Sequence, residues 1–123
     1  LLYLVDRKKD IIITGGENVY SPEVEEAVAV VPAVAACAVV GVADDRWGEA
    51  VCAVVVLCDG ATLTLEDVQV ATRERLARYK VPRRLVVVAA LPVLASGKID
   101  KKSLRRLVAA DRSRNGSGTR AIG

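Results

Sequence analysis

The chain has 123 residues, of which 52% are hydrophobic and 27% charged, with a net charge of +3; that is one domain with room for its own core and no need of staples. The weak positive balance suits an anionic ligand and lacks the dense basic-aromatic stripe of a nucleic-acid binder. There is no His, so the commonest zinc ligand and general base is missing.

In chain order, Leu2–Val5 reads as a short strand and Asp6–Asp10 as a charged turn. Three β-branched residues, Ile11 to Ile13, then continue an N-terminal hairpin. Gly15-Gly16 frees the backbone for a sharp bend into a helix, with Ser21 as N-cap and Pro22 at its first position. Val24, Ala27, Val28 and Val31 recur at helical spacing, and Pro32 closes the segment.

Val34–Val42 and Glu49–Leu57 are Val-rich runs that read as adjacent central strands, separated by a loop carrying Arg46 and Trp47. Thr64 and Asp67 have capping-box spacing and open a second helix, with a buried line through Val68, Ala71 or Thr72, Leu76 and Tyr79. Arg84–Ala89 is read as the last strand, Leu91–Asp100 as a loop and Ser103–Ala110 as a terminal helix. The expected fold is α+β: a small compact domain over residues 1–110, with a central, mostly three-stranded sheet flanked by helices and the N-terminal hairpin. Residues 111–123 read as a disordered polar tail.

The core should be built from Val and Ala, since the aromatics amount to one Trp and three Tyr, with no Phe. Cys37, Cys52 and Cys58 lie in or beside apolar runs and read as core thiols in a reducing compartment, hence a cytoplasmic expectation. The apolar runs stop short of the roughly 18 residues of a membrane span. With no Met and a strand pattern from Leu1 onward, the chain reads as a piece of something longer.

Lys98, after Gly97 at a loop tip, presents a mobile cation suited to phosphate or carboxylate oxygens, or simply a surface lysine. Arg7, Lys8 and Lys9 either bind anions or solvate their turn. Trp47 either stacks on a nucleotide base or pantetheine arm, or folds back as a core cap. Tyr79, Lys80, Arg83 and Arg84 fit phosphate contacts or a solvated helix end. No Ser–His or Cys–His pair, metal cluster or carboxylate dyad completes an active site.

Two motifs carry more. DRKKDIIITGGENVYSPEVE over 6–25 and PVLASGKIDKKSLR over 92–105 resemble the C-terminal domain of the adenylate-forming acyl-CoA synthetases, a superfamily shared with luciferases and peptide-synthetase adenylation domains. The resemblance spans Leu2 to Val108. It implies a two-step ligase in which a carboxylic acid and Mg-ATP give an acyl-adenylate and pyrophosphate, and CoA then displaces AMP. It also implies a small domain that rotates between steps against its own N-terminal AMP-binding domain.

By that resemblance Lys98 is the adenylation lysine, Arg7 lies near the ribose and Lys9 is the hinge. Gly15 and Gly16 line the pantetheine passage, and Trp47, Tyr79, Lys80 and Arg83 border the CoA nucleotide. ATP, CoA and Mg2+ are the implied cofactors, with Mg2+ bound mainly by the N-terminal domain. The isolated chain is therefore expected to be inactive. Ile13 replaces a lysine of luciferases, and the Gly-Gly-Glu-Asn form leans towards acyl-CoA synthetases, with a fatty acid as the expected substrate. A peptide-synthetase adenylation fragment and a non-catalytic nucleotide- or CoA-binding module are the alternatives.

Overall fold

The computed structural model describes residues 11–115 and 119–122. The expected strand Leu2–Val5 and charged turn Asp6–Asp10, with Arg7 and Lys9, lie outside the described residues. Strands β1 (Ile11–Thr14) and β2 (Glu17–Tyr20) form an antiparallel hairpin, with Ile11 opposite Tyr20 and Thr14 opposite Glu17. Gly15 and Gly16 both hold positive φ, +59° and +83°. That is the requirement of a two-residue type I′ turn, whose twist matches the strands it joins. The turn therefore reverses the chain into a strand rather than bending it into a helix.

Helix α1 (Ser21–Ala29) follows directly, with Tyr20 at the N-cap position and no side-chain cap. The expected Ser21 cap is absent. Ser21 is already helical and buried, and its hydroxyl accepts from Lys101 Nζ at 2.9 Å. The expected apolar line is present: Val24, Ala27, Val28 and Val31 are all buried.

Strands β3 (Val34–Asp44) and β4 (Gly48–Leu57) pair antiparallel along their length, with an irregularity between Val34 and Ala36. Helix α2 (Leu65–Arg73) starts in the expected capping box, Thr64 and Asp67 each bonding the other's backbone N–H. It ends earlier than expected; a separate 3-10 turn, Arg78–Lys80, then leads to β5 (Arg84–Val88). Strand β5 runs parallel to β4, as the α2 crossover between them requires. Helix α3 (Lys101–Asn115) is followed by β6 (Thr119–Ile122), parallel to β5.

The sheet is thus larger than the three strands expected. Five strands lie along the path β2-β1-β4-β5-β6, and β3 pairs with β4 as a sixth. Two short strands account for the difference. Only Val19 is buried in β2, and β6 lies in a polar stretch without an apolar run, so neither shows hydrophobic alternation. Helices α1 and α2 cover one face over Val39, Val51, Val55 and Leu85. On the other face Leu104 and Val108 of α3 cover Val40, Val54 and Val86. Ala50–Val55 of β4 is buried throughout because helices press on both faces. No described helix is long and apolar enough to cross a membrane.

Candidate functional site

Lys98 sits in a small hairpin of its own. Val93 and Ile99 form a bridge, Leu94 N–H donates to the Lys98 carbonyl at 2.7 Å, and Gly97 N–H to the Leu94 carbonyl at 2.8 Å. Asp100 then caps α3, accepting the Ser103 N–H at 3.1 Å and the Ser103 hydroxyl at 2.7 Å. Those two Ser103 bonds hold the Asp100 carboxyl below the usual carboxylate range. The backbone around Lys98 is therefore anchored at both ends, while its side chain is exposed. Beside it opens a cleft of about 850 Å³ that also takes in Ser96, Lys102 and Arg105. Lys101 in the same cleft is committed to Glu25, at 2.8 Å. Glu25 in turn accepts the Val39 N–H of β3 at 2.9 Å, so its carboxylate joins α1 to both β3 and α3.

A second cluster forms where the β1–β2 turn meets the β3–β4 loop. Gly15 N–H donates to the Trp47 carbonyl at 2.8 Å. A Cβ on Gly15 would stand 2.8 Å from Trp47 Cε3, so only glycine fits beneath the indole. The Arg83 guanidinium lies 3.9 Å from the Trp47 ring centroid, and that of Arg46 at 5.7 Å. Trp47 is consequently half-buried, with the glycine turn and an arginine as its neighbours. Gly16 faces open space.

Tyr79 and Lys80 take a different place from Arg83. Tyr79 packs against the α1–α2 core, and Lys80 Nζ bonds Glu23 at 2.9 Å near the start of α1. Of the residues singled out in the sequence, the structure brings together Gly15, Trp47 and Arg83. Lys98 belongs to a cleft whose lining includes none of them.

Sequence reasoning overlooked two features. Arg73 and Arg78 join Arg83 around a groove of about 460 Å³; the run of basic residues after α2 was the available signal. Asp44 and Arg84 form an ion pair at 3.0 Å between β3 and β5, which needs the sheet register to be foreseen. Among the described residues no three His, Cys, Asp or Glu side chains converge as a metal-ligand set.

Over residues 23–98 the chain matches the AMP-binding enzyme C-terminal domain. The chain belongs to that family. The family region runs from the first turn of α1 to Lys98 itself, and so contains Trp47 and Arg83 as well. Curated relatives include a feruloyl-CoA synthase of Amycolatopsis, 49% identical over 104 residues, covering 85% of this chain and 21% of that protein. A medium/long-chain-fatty-acid–CoA ligase of Mycobacterium tuberculosis is 47% identical over 110 residues, covering 84% and 19%. The chain thus spans about a fifth of the length of these relatives. Among solved structures, a fatty acyl CoA synthetase of M. tuberculosis superposes with a TM-score of 0.77 at 41% identity, covering 84% of this chain and 20% of that one. ATP-bound MatB from Rhodopseudomonas palustris gives 0.78 at 38% identity, covering 83% and 20%. This AMP-binding C-terminal domain therefore shares both sequence and fold with about a fifth of much larger proteins.

Proposed function

We propose that the chain is the mobile C-terminal domain of an ATP-dependent acid–thiol ligase, which turns a carboxylic acid, ATP and CoA into acyl-CoA, AMP and pyrophosphate through an acyl-adenylate. The observation that carries this reading is the division of the candidate residues between two surfaces. Lys98 stands on its hairpin beside one cleft, and Gly15, Trp47 and Arg83 cluster elsewhere. A domain serving two successive steps from two orientations against its own N-terminal AMP-binding domain needs two such surfaces.

In the first step Lys98 neutralises oxygen charge on the carboxylate and phosphate as the adenylate forms, a role for a mobile cation aimed at developing charge. In the second, the open Gly16 turn admits the pantetheine arm and Trp47 with Arg83 faces the CoA nucleotide. By the resemblance Tyr79 and Lys80 lie in the segment that borders the nucleotide, and in this chain they are tied to the core and to Glu23 of α1. Arg7 near the ribose and Lys9 as hinge complete the assignment. Among the described residues no set of three metal-ligating side chains converges; a Mg2+ accompanying ATP is assigned to the N-terminal domain, and no step here runs through it.

Relatives named for ferulate, fatty acids, indoleacetate and 2-succinylbenzoate are similar to this chain at 49, 47, 46 and 43% identity. This domain follows their common thioester chemistry rather than the acid, so the substrate is proposed as a fatty or aryl carboxylic acid. A cytoplasmic site of action accords with such chemistry. A solved amide bond synthetase, 45% identical with a TM-score of 0.76, favours a second reading with an amine as acceptor.

Single-turnover assays of each half-reaction in the full-length ligase test the proposal. Lys98→Ala is expected to slow adenylate formation by about 100-fold while leaving thioester formation from preformed adenylate near normal. Gly16→Leu is expected to do the reverse, since its side chain enters the passage. Equal losses in both steps for both variants would return Lys98 to a general structural role, and adenylate turned over by amines but not CoA would select the second reading.

A further inference from the structure

Asp44 occupies a position that its neighbours explain only in part. It is the last residue of β3 and pairs with Gly48, the first of β4, so the loop carrying Arg46 and Trp47 hangs between them. One carboxylate oxygen accepts two backbone N–H groups of that loop, Arg46 at 2.8 Å and Trp47 at 3.0 Å. The other accepts Arg84 Nη2 at 3.0 Å. The two side chains are only 14% and 10% exposed, so the pair lies where water screens it little. A hairpin loop needs the two amide bonds for its own shape. It does not need a charge reaching over β4 to the start of β5.

That reach has a consequence at the next residue. Arg84 is followed back along the chain by Arg83, whose N–H bonds the Val51 carbonyl at 2.9 Å and whose guanidinium stacks 3.9 Å from the Trp47 ring. Asp44 thus holds one partner of the stack through the Trp47 amide and the other through Arg84. Stacking of a guanidinium on an indole depends steeply on distance and angle, and both members here come from irregular backbone that would otherwise drift independently.

We infer that Asp44 and Arg84 are positioning residues that set the Trp47–Arg83 stack, and with it the surface presented to the thiol substrate. The inference rests on the proposed role of that surface, and it assigns neither residue to contact with substrate. Asp44 acts through Trp47, and Arg84 through Arg83.

Two measurements separate positioning from mere support. Trp47 is the only Trp of the chain, so acrylamide quenching of its fluorescence in the 123-residue chain reads the stack directly. Asp44→Ala removes the amide bonds and the charge. The double variant Asp44→Asn with Arg84→Met keeps an acceptor for the loop and removes both members of this ion pair together, which protects the fold if the single variant loses it. Both are expected to raise the quenching constant about two-fold with an unchanged far-ultraviolet circular dichroism spectrum. In the full-length ligase both should raise the KM for CoA about five-fold, the scale of one lost cation–π contact, with adenylate formation unaltered. Asp44→Glu, which keeps charge and acceptor, should recover part of the effect.

Unchanged quenching in the folded variants overturns the inference, as do equal losses in the two half-reactions. A quenching change with a normal KM for CoA also overturns it where Trp47→Ala itself raises that KM. If Trp47→Ala leaves the KM for CoA unchanged, the proposed role of the surface has failed, and the inference falls with it.

Discussion

Cys37 shows how one residue's setting decides its chemistry. Its thiol is half-buried on β3 and donates to the Glu25 carbonyl at 3.5 Å. Burial first, and then the Glu25 carboxylate, push its pKa up from 9.0 to about 11, partly offset by Lys101. The thiolate is the reactive species, so Cys37 is inert near neutrality. Iodoacetamide at pH 8 should modify exposed Cys58 first and Cys37 slowly. The same shift links stability to pH. The folded state holds the proton more tightly, so its contribution is complete below pH 9.0 and is lost as pH rises through about 11. Urea midpoints at pH 8 and 10.5 should fall further for the wild type than for Cys37→Ala. An equal fall in both would trace the alkaline loss to other groups. Asp44 shifts the opposite way: burial alone would raise it, but the Arg46 and Trp47 amides and the Arg84 guanidinium outweigh burial and hold it low.

Among the elements, α3 carries the largest consequence for the site. It begins three residues after Lys98, capped by Asp100, and is held to the sheet by Leu104 and Val108, both essentially without exposure. Leu104→Ala should cost about 3 kcal/mol, the transfer of the lost atoms plus the cavity left behind. Because the Lys98 hairpin leads straight into that helix, adenylate formation in the proposed full-length ligase should suffer before the thiol step does. Denaturant midpoints together with the two half-reaction rates check this. A loss of stability with both rates untouched would uncouple α3 from the lysine hairpin. The hairpin β1–β2 makes a comparable link on the other surface, since its Gly15 turn is bonded to the Trp47 carbonyl.

For the whole molecule, two apolar clusters lie on opposite faces of one sheet, each closed by helices of this chain. That burial is self-sufficient, and the chain should unfold in a single cooperative thermal transition without a partner. The same chain should show no ATP–pyrophosphate exchange with a fatty or aryl acid, because Lys98 is exposed and the described residues close no pocket around both phosphate and acid. Exchange above background by the purified chain would remove the need for an N-terminal domain in the first step.

Local pattern in the sequence determined a good part of this architecture. The stripe Val24, Ala27, Val28 and Val31, the Thr64–Asp67 capping box, the two long Val-rich strands and β5 all follow from preferences between residues a few positions apart. The two quoted motifs pointed to the family that the comparison over residues 23–98 bears out. What lay beyond the sequence depends on strand register. The pairing of Asp44 with Gly48 and of Cys52 with Arg84 brings together side chains 40 residues apart. The pairing of Thr14 with Gly48 sets the Gly15 turn under Trp47. Register is a collective property of the packed sheet and leaves no mark on any short window of residues. Polar β2 entered the sheet for the same reason: its backbone bonds to β1 hold it there, and backbone groups are common to every sequence.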